Sequence, residues 1–295
     1  MVRSIGESLW EVTSSAPGLT VLILGGTHGN EETGVALVKQ LLQEFEAGTC
    51  TLSAGTVLLG IGNPEAVALK VRGVEGRDLN RYFTPAHLID NFDGSETEAR
   101  AQELVKICDQ ADVLIDIHST NKPSIPFICS RSDAAHERVY RWFSYSTILS
   151  DPDYVLAGEP ATIDDYMNTQ GKVGMCVETG QASDTTALSE TVKSVQAILC
   201  DLGLLSGPAN GEPAVPEEAY VLRTCIRRDE RPFSFAEGRG LRSFEPIRRG
   251  DVVGFLGEEE VVSDVTGVIV FPKLPEHQGP GLPVGYIAER KGTLE

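Results

Sequence analysis

The stretch Val21 to Gly34, VLILGGTHGNEETG, limits what the rest of the chain can be. Four consecutive β-formers, Val21 to Leu24, predict a short buried strand, and Gly25-Gly26 permits a sharp exit through positive φ. Apolar residues then recur at three- and four-residue steps through Val35, Leu37, Val38, Leu41 and Leu42. A helix therefore follows, and Glu31 falls in or just before its first turn. This unit places His28 and Glu31 at the carboxyl end of a strand, where open α/β sheets bind their ligands. Its glycines do not make a phosphate loop, because the GxxxxGK[ST] pattern is absent.

The same alternation continues. Thr56 to Ile61 and Val113 to His118 read as buried strands, Pro126 to Cys129 as a further one and Gly174 to Val177 as another central one. Glu96 to Cys108, Ala134 to Ser144 and Ala187 to Leu205 read as helices. Strands alternating with helices predict an α/β fold with a mostly parallel central sheet and helices on both faces, over residues 1–205. Ser206 to Glu218 has three prolines, two glycines and no apolar period, the composition of a linker. From 219 to 295 short β-rich runs are separated by Gly, Pro and charged turns, predicting a small all-β domain. The order RRGDVVGFLG to VTGVIVFP is similar to a biotinyl/lipoyl hammerhead, but no Met-Lys-Met carrier sequence is present.

A chain of 295 residues with 41% hydrophobic content can bury a large core. No apolar run approaches the ~20 residues of a membrane span, and MVRSIGESLWEV lacks the apolar centre of a signal peptide, so a cytoplasmic location is expected. The net charge of −18 argues against nucleic acid or an anionic membrane as partner. A small anionic substrate would need a local positive pocket. Lys70, Arg72, Arg77 and Arg81 fall within twelve positions and supply one. The six cysteines contain no CxxC pair, which fits reduced thiols better than a disulfide frame.

Only five histidines are present. An amide-cleaving zinc enzyme needs three protein ligands and an open position, and His2Glu is one such set, as in thermolysin and carboxypeptidase A. His28 and Glu31 offer two ligands. His118, closing the run VLIDI, is the histidine in a matching strand-end position, whereas His87, His136 and His277 lack that context and read as surface residues. Asp116, two residues before His118 on the same strand face, could orient it.

GGTHGNE (25–31), GNP (62–64) with Arg72, RDLNRYF (77–83), DIH (116–118) and CVETG (176–180) appear in the order seen in the succinylglutamate desuccinylase/aspartoacylase family, which the chain resembles. The resemblance implies a fold like that of zinc carboxypeptidases and hydrolysis of N-acyl amino acids. It matches His28, Glu31 and His118 to the ligands of one Zn2+ per chain, favouring Glu31 over the neighbouring Glu32. It matches Glu178 to the general acid/base, Arg72 to the arginine that polarises the scissile carbonyl, and Asn80 with Arg81 to the pair that holds a substrate carboxylate. Arg77 reads as a solvated loop residue.

One position departs from the pattern. Where aspartoacylases carry an arginine that grips a second carboxylate, this chain has Asn168, so strict aspartate specificity is not expected. Tyr286, with Tyr166 as the alternative, matches a substrate-contacting tyrosine. The expected partner is a small anionic N-acyl amino acid, and a homo-oligomer is compatible with the sequence. Two rival readings are a carboxypeptidase-like peptidase on the same scaffold and a non-catalytic metal or ligand sensor. The first is favoured by an open cleft; the second has no use for Glu178.

Overall fold

The structure is a computed structural model that describes residues 2–90, 92–182, 187–209 and 211–291. A hairpin of β1 (Val2–Gly6) and β2 (Leu9–Thr13) opens the chain, followed by β3 (Thr20–Gly25), α1 (Glu32–Ala47), β4 (Thr56–Ile61), α2 (Pro64–Leu69) and α3 (Pro85–Leu88). Next come α4 (Glu96–Cys108), β5 (Val113–Thr120), β6 (Phe127–Cys129), α5 (Ala134–Tyr140), β7 (Thr147–Ser150), α6 (Ile163–Thr169), β8 (Val173–Gln181) and α7 (Ala187–Asp201). The remaining strands are β9 (Glu218–Arg227), β10 (Phe233–Phe235), β11 (Glu245–Ile247), β12 (Val252–Leu256), β13 (Glu259–Val262), β14 (Gly267–Val270) and β15 (Pro283–Lys291).

Twelve of these strands form one sheet in the order β1-β2-β4-β3-β5-β8-β6-β7-β9-β15-β14-β11, and β10-β12-β13 form a second. The strands expected from continuous apolar runs, β3, β4, β5 and β8, lie side by side and parallel. Both faces of this centre are covered, which is why its strands read as unbroken apolar runs. In β3, Val21 and Ile23 pack with α1, α5 and α7, while Leu22 and Leu24 pack with α4 and α6 on the other face.

The sheet is mixed rather than mostly parallel. β6 enters antiparallel to β8, and the β1–β2 hairpin continues antiparallel onto β4. That hairpin escapes an apolar-run reading because its strands are half exposed and interleave Arg3, Ser4 and Glu11 with Leu9 and Val12. α5 and α7 stop at Tyr140 and Asp201, short of the expected ends at 144 and 205; after α7 the chain turns through Gly203 at φ 81°.

The expected linker holds no helix or strand among its described residues until β9 begins at Glu218; position 210 lies outside them. Beyond it, β9 pairs parallel with β7, so the terminal strands extend the central sheet edge to edge. Among the described residues no helix is long and apolar enough to cross a membrane.

Candidate active site

Three neighbouring parallel strands deliver the site. β3 ends at Gly25, whose register partner on β5 is Ile117, and the next residue of β5, His118, pairs with Glu178 of β8. Glycine makes the close approach possible. A Cβ on Gly25 would lie 2.2 Å from the carbonyl carbon of Gly34, and one on Gly34 would lie 2.5 Å from the Ile117 oxygen. The first turn of α1 thus rests directly on β3 and β5, and Glu31, its N-cap residue, points back at His118.

His28 Nδ1 is 2.8 Å from Glu31 Oε1 and 3.1 Å from His118 Nδ1, which lies 3.0 Å from Glu31 Oε2. The donor atoms of these three buried residues fall within 4.8 Å of one another. Each ring's other nitrogen meets a carboxylate: His118 Nε2 is 2.7 Å from Asp116 Oδ2, and His28 Nε2 is 2.9 Å from Asp78 Oδ1. The Thr27 hydroxyl donates to Asp116 at 3.0 Å, so the GGTHGNE turn also fixes the carboxylate behind its partner histidine. Burial alone would lower the His118 pKa, but Asp116 and Glu31 hold it well above the usual range, which marks a point that favours positive charge. Two imidazole nitrogens and a carboxylate, backed by carboxylates, match the donors of a divalent zinc site. Glu32 faces solvent instead and pairs with Lys70 at 3.1 Å.

Asp78, to which the sequence reading gave no role, organises the adjoining loop. It accepts from Arg72 at 3.0 and 3.2 Å, from the Asn80 backbone at 3.0 Å and against His28. Burial opposes its ionisation, yet Arg72 and His28 hold its carboxyl well below the usual range. Arg72 reaches Glu31 at 3.5 Å, so its guanidinium lies against the metal-type cluster. Asn80 is buried, with Oδ1 accepting from the Ile163 N–H at 2.9 Å, and it lines the cavity beside Arg81. Arg77 lies apart, 3.7 Å from Glu75.

A cavity of about 480 Å3 opens over these groups. Glu178 faces it, 8% exposed, with Oε2 lacking any hydrogen-bond partner. Burial and then the Glu31 charge push its carboxyl up to about 7, against the opposing pull of His118, His28 and Arg72. Asn168 and Tyr286 also line the cavity, but their polar atoms are engaged. Asn168 contacts His136 Nε2 at 2.8 Å and both backbone groups of Gly174, and the Tyr286 hydroxyl donates to the Leu156 oxygen at 3.0 Å. His136 is accordingly buried, not on the surface, because α5 turns it onto Asn168. Tyr166 bonds Asp109 at 2.7 Å instead. Lys273, between β14 and β15, enters the cavity wall unforeseen, where burial and then Arg72 and Arg81 lower its pKa to about 8.

Residues 17–200 match the model of the succinylglutamate desuccinylase/aspartoacylase catalytic domain. The chain is 28% identical to a probable aspartoacylase of Nostoc sp., over 61% of either chain. It is 26% identical to an N-alpha-acetyl-L-2,4-diaminobutyric acid deacetylase of Halomonas elongata, over 98% of this chain and 82% of that one. The solved structure of succinylglutamate desuccinylase from Vibrio cholerae superposes with a TM-score of 0.76 at 19% identity, over 95% of this chain and 85% of that one, which establishes the shared fold. The chain belongs to the succinylglutamate desuccinylase/aspartoacylase family.

Proposed function

We propose that this protein is a zinc-dependent amidohydrolase that removes the acyl group from a small N-acyl amino acid. One observation carries the reading: His28 Nδ1, His118 Nδ1 and Glu31 converge within 4.8 Å beside a buried carboxylate, Glu178, with an unpartnered oxygen in the same cavity. Zinc bound by that trio would lower the pKa of a coordinated water towards about 7 and polarise the scissile carbonyl.

The chain's own residues divide the remaining work. Glu178, its pKa raised by burial to about 7, is suited to take a proton from the attacking water and return it to the leaving amine. Arg72, pinned by Asp78, aims a guanidinium at the region where negative charge develops on the carbonyl oxygen. The Asn80 amide and the Arg81 fork hold the substrate α-carboxylate, with Lys273 adding positive charge to that side.

We assign catalysis to residues 1–205 and a covering role to 219–295. Phe271, Pro272 and Lys273, which follow β14, and Tyr286 of β15 line the cavity, which supports a small substrate over an extended peptide. The test is a deacylation panel crossing acetyl and succinyl groups with acidic, neutral and basic amino acids, run with the metal-loaded protein and its Glu178→Gln variant. Turnover by the first and not the second is expected; wild-type-like turnover by the variant removes Glu178 from the mechanism.

A further inference from the structure

We propose that Cys129 and Cys176 form a two-thiol site for a soft cation of the cuprous class in the wall of the cavity, separate from the His28, Glu31 and His118 cluster. The site goes beyond the deacylase reading and does not depend on it.

All six cysteines are free thiols, and of the six only these two line the cavity. β6 and β8 set them directly opposite each other, since Cys129 is the register partner of Cys176 in an antiparallel pair. On its other side Cys176 pairs with Asp116 of β5, and Cys129 pairs with Leu149 of β7. Two residues further along β8, Glu178 stands between His118 and Phe127. The paired thiols therefore occupy the row of the sheet next to the row that carries Glu178. Small core residues would be covered by other side chains; both of these border open space.

The spacing of an opposite pair suits an ion between the sulfurs better than a bond between them. Directly opposite Cβ atoms stand about 4.5–5.5 Å apart. A disulfide needs them at about 3.5–4.5 Å. With metal–sulfur bonds of about 2.3 Å, as for zinc, a bridged pair has its sulfurs no more than about 4.6 Å apart, which side-chain rotation can supply. Contact with Cys129 and burial hold the Cys176 thiol well above the usual range, so the empty pair stays protonated. An incoming cation must displace those protons to solvent as each sulfur takes up the metal. Soft ions do so through strong thiolate bonds, and Cu(I) is the ion that such ligands select. Magnesium and calcium require a set of oxygen ligands that two thiols do not offer.

Occupation has a consequence for the neighbouring row. Glu178 lies about 7 Å beyond Cys176 along the same face of β8. Its unpartnered Oε2 opens to the same cavity. A cation held by the thiols draws that carboxylate and withdraws it from proton transfer, so binding should stop turnover.

The test titrates the reduced, zinc-loaded full chain with Cu(I) under oxygen-free conditions, in competition with the colorimetric ligand bicinchoninate. One Cu(I) per chain should be withdrawn from the chromophore, with the zinc content unchanged by elemental analysis. Cys129→Ser and Cys176→Ser should each weaken this uptake by more than the roughly 10- to 100-fold that loss of an outer partner costs a metal site. Cys50→Ser and Cys200→Ser should leave it unchanged. Retained zinc in the Cys129 and Cys176 variants, and in their alanine counterparts, shows that the fold survives. Uptake unchanged in both of these variants, uptake lost with Cys50 or Cys200, or zinc released in step with copper bound overturns the assignment. On any acylated amino acid that the protein turns over, one equivalent of Cu(I) should abolish wild-type activity and spare both variants; activity retained with copper bound overturns the placement beside Glu178. Absence of turnover on every substrate counts against the deacylase reading, while copper uptake still decides this one.

Discussion

His28 and His118 face each other through their Nδ1 atoms at 3.1 Å, while the Nε2 atom of each ring meets a carboxylate. Each Nε2–H donates to its carboxylate, which turns the Nδ1 atom of each ring inward, where a neutral ring offers its lone pair to a metal. Two imidazole nitrogens and the Glu31 carboxylate therefore converge on one point, which favours positive charge there. The carboxylates behind the rings are thus as much part of the site as the three inner groups.

Asp78→Asn and Asp116→Asn should each weaken zinc binding by about 10- to 100-fold while leaving all three inner groups in place. Competition with a chelator of known affinity measures this. His118→Ala, which removes a donor outright, should leave the purified protein with little zinc by elemental analysis. Unchanged affinity in both aspartate variants would mean that the rings are held by packing alone.

Glu178→Gln should retain zinc and lose about 10²- to 10⁴-fold in turnover, the range for a general acid/base. A second readout comes from the raised pKa. A carboxyl that titrates near 7 in the folded protein and near 4.5 when unfolded costs stability once ionised. The penalty is absent below about 4.5, grows as pH rises and is complete above about 7. In the metal-free protein, Glu178→Gln should therefore raise Tm at pH 8 and change it little at pH 4.5. Bound zinc, a nearby cation, lowers the Glu178 pKa, so the acid limb of kcat/KM should lie below pH 7 and disappear in the variant.

How much of this was legible in the sequence follows from distance along the chain. The turn from Gly25 to Glu31 is contiguous, and its strand, its glycines and its HxxE spacing announce themselves together. His118 and Glu178 end apolar runs, so the sheet that makes them neighbours could be anticipated. Asp78 lies fifty residues from His28 in a loop without periodicity, and only the fold of that loop brings the two to 2.9 Å. Lys273 arrives from the far side of a sheet whose continuation through β7 and β9 no local pattern encodes. The antiparallel insertion of β6 escaped for the same reason: three residues carry no directional signal.

Gly34→Ala should destabilise the fold and the site together. The new Cβ would sit 2.5 Å from the Ile117 oxygen and 2.8 Å from the Gly25 Cα, both backbone atoms that cannot swing aside. Overpacking of this kind costs about 1–3 kcal/mol. Thermal unfolding should show a Tm lower by several degrees, and zinc affinity should fall because α1 carries Glu31 away from His118. A variant with unchanged Tm would show that α1 can lift from β3 and β5 without cost.

Lys273 gives the last prediction. Its ammonium shares the cavity with Arg72 and Arg81; burial and then these two cations lower its pKa to about 8. For a base the sign is the reverse of Glu178: the charged form is disfavoured in the folded protein, so the penalty is present below about 8 and is relieved as pH rises. A substrate carboxylate placed beside it favours the charged form. KM should therefore be lowest below pH 8 and climb above it as the ammonium is lost. Lys273→Met should raise KM at pH 7 by about tenfold, the worth of one charge-assisted hydrogen bond, and should flatten the rise above pH 8. Because Lys273 is assigned to holding the substrate carboxylate and not to the proton transfer at Glu178, kcat should change far less than KM. A wild-type KM that stays level from pH 7 to 9, or a variant that loses kcat and KM alike, would remove Lys273 from substrate binding.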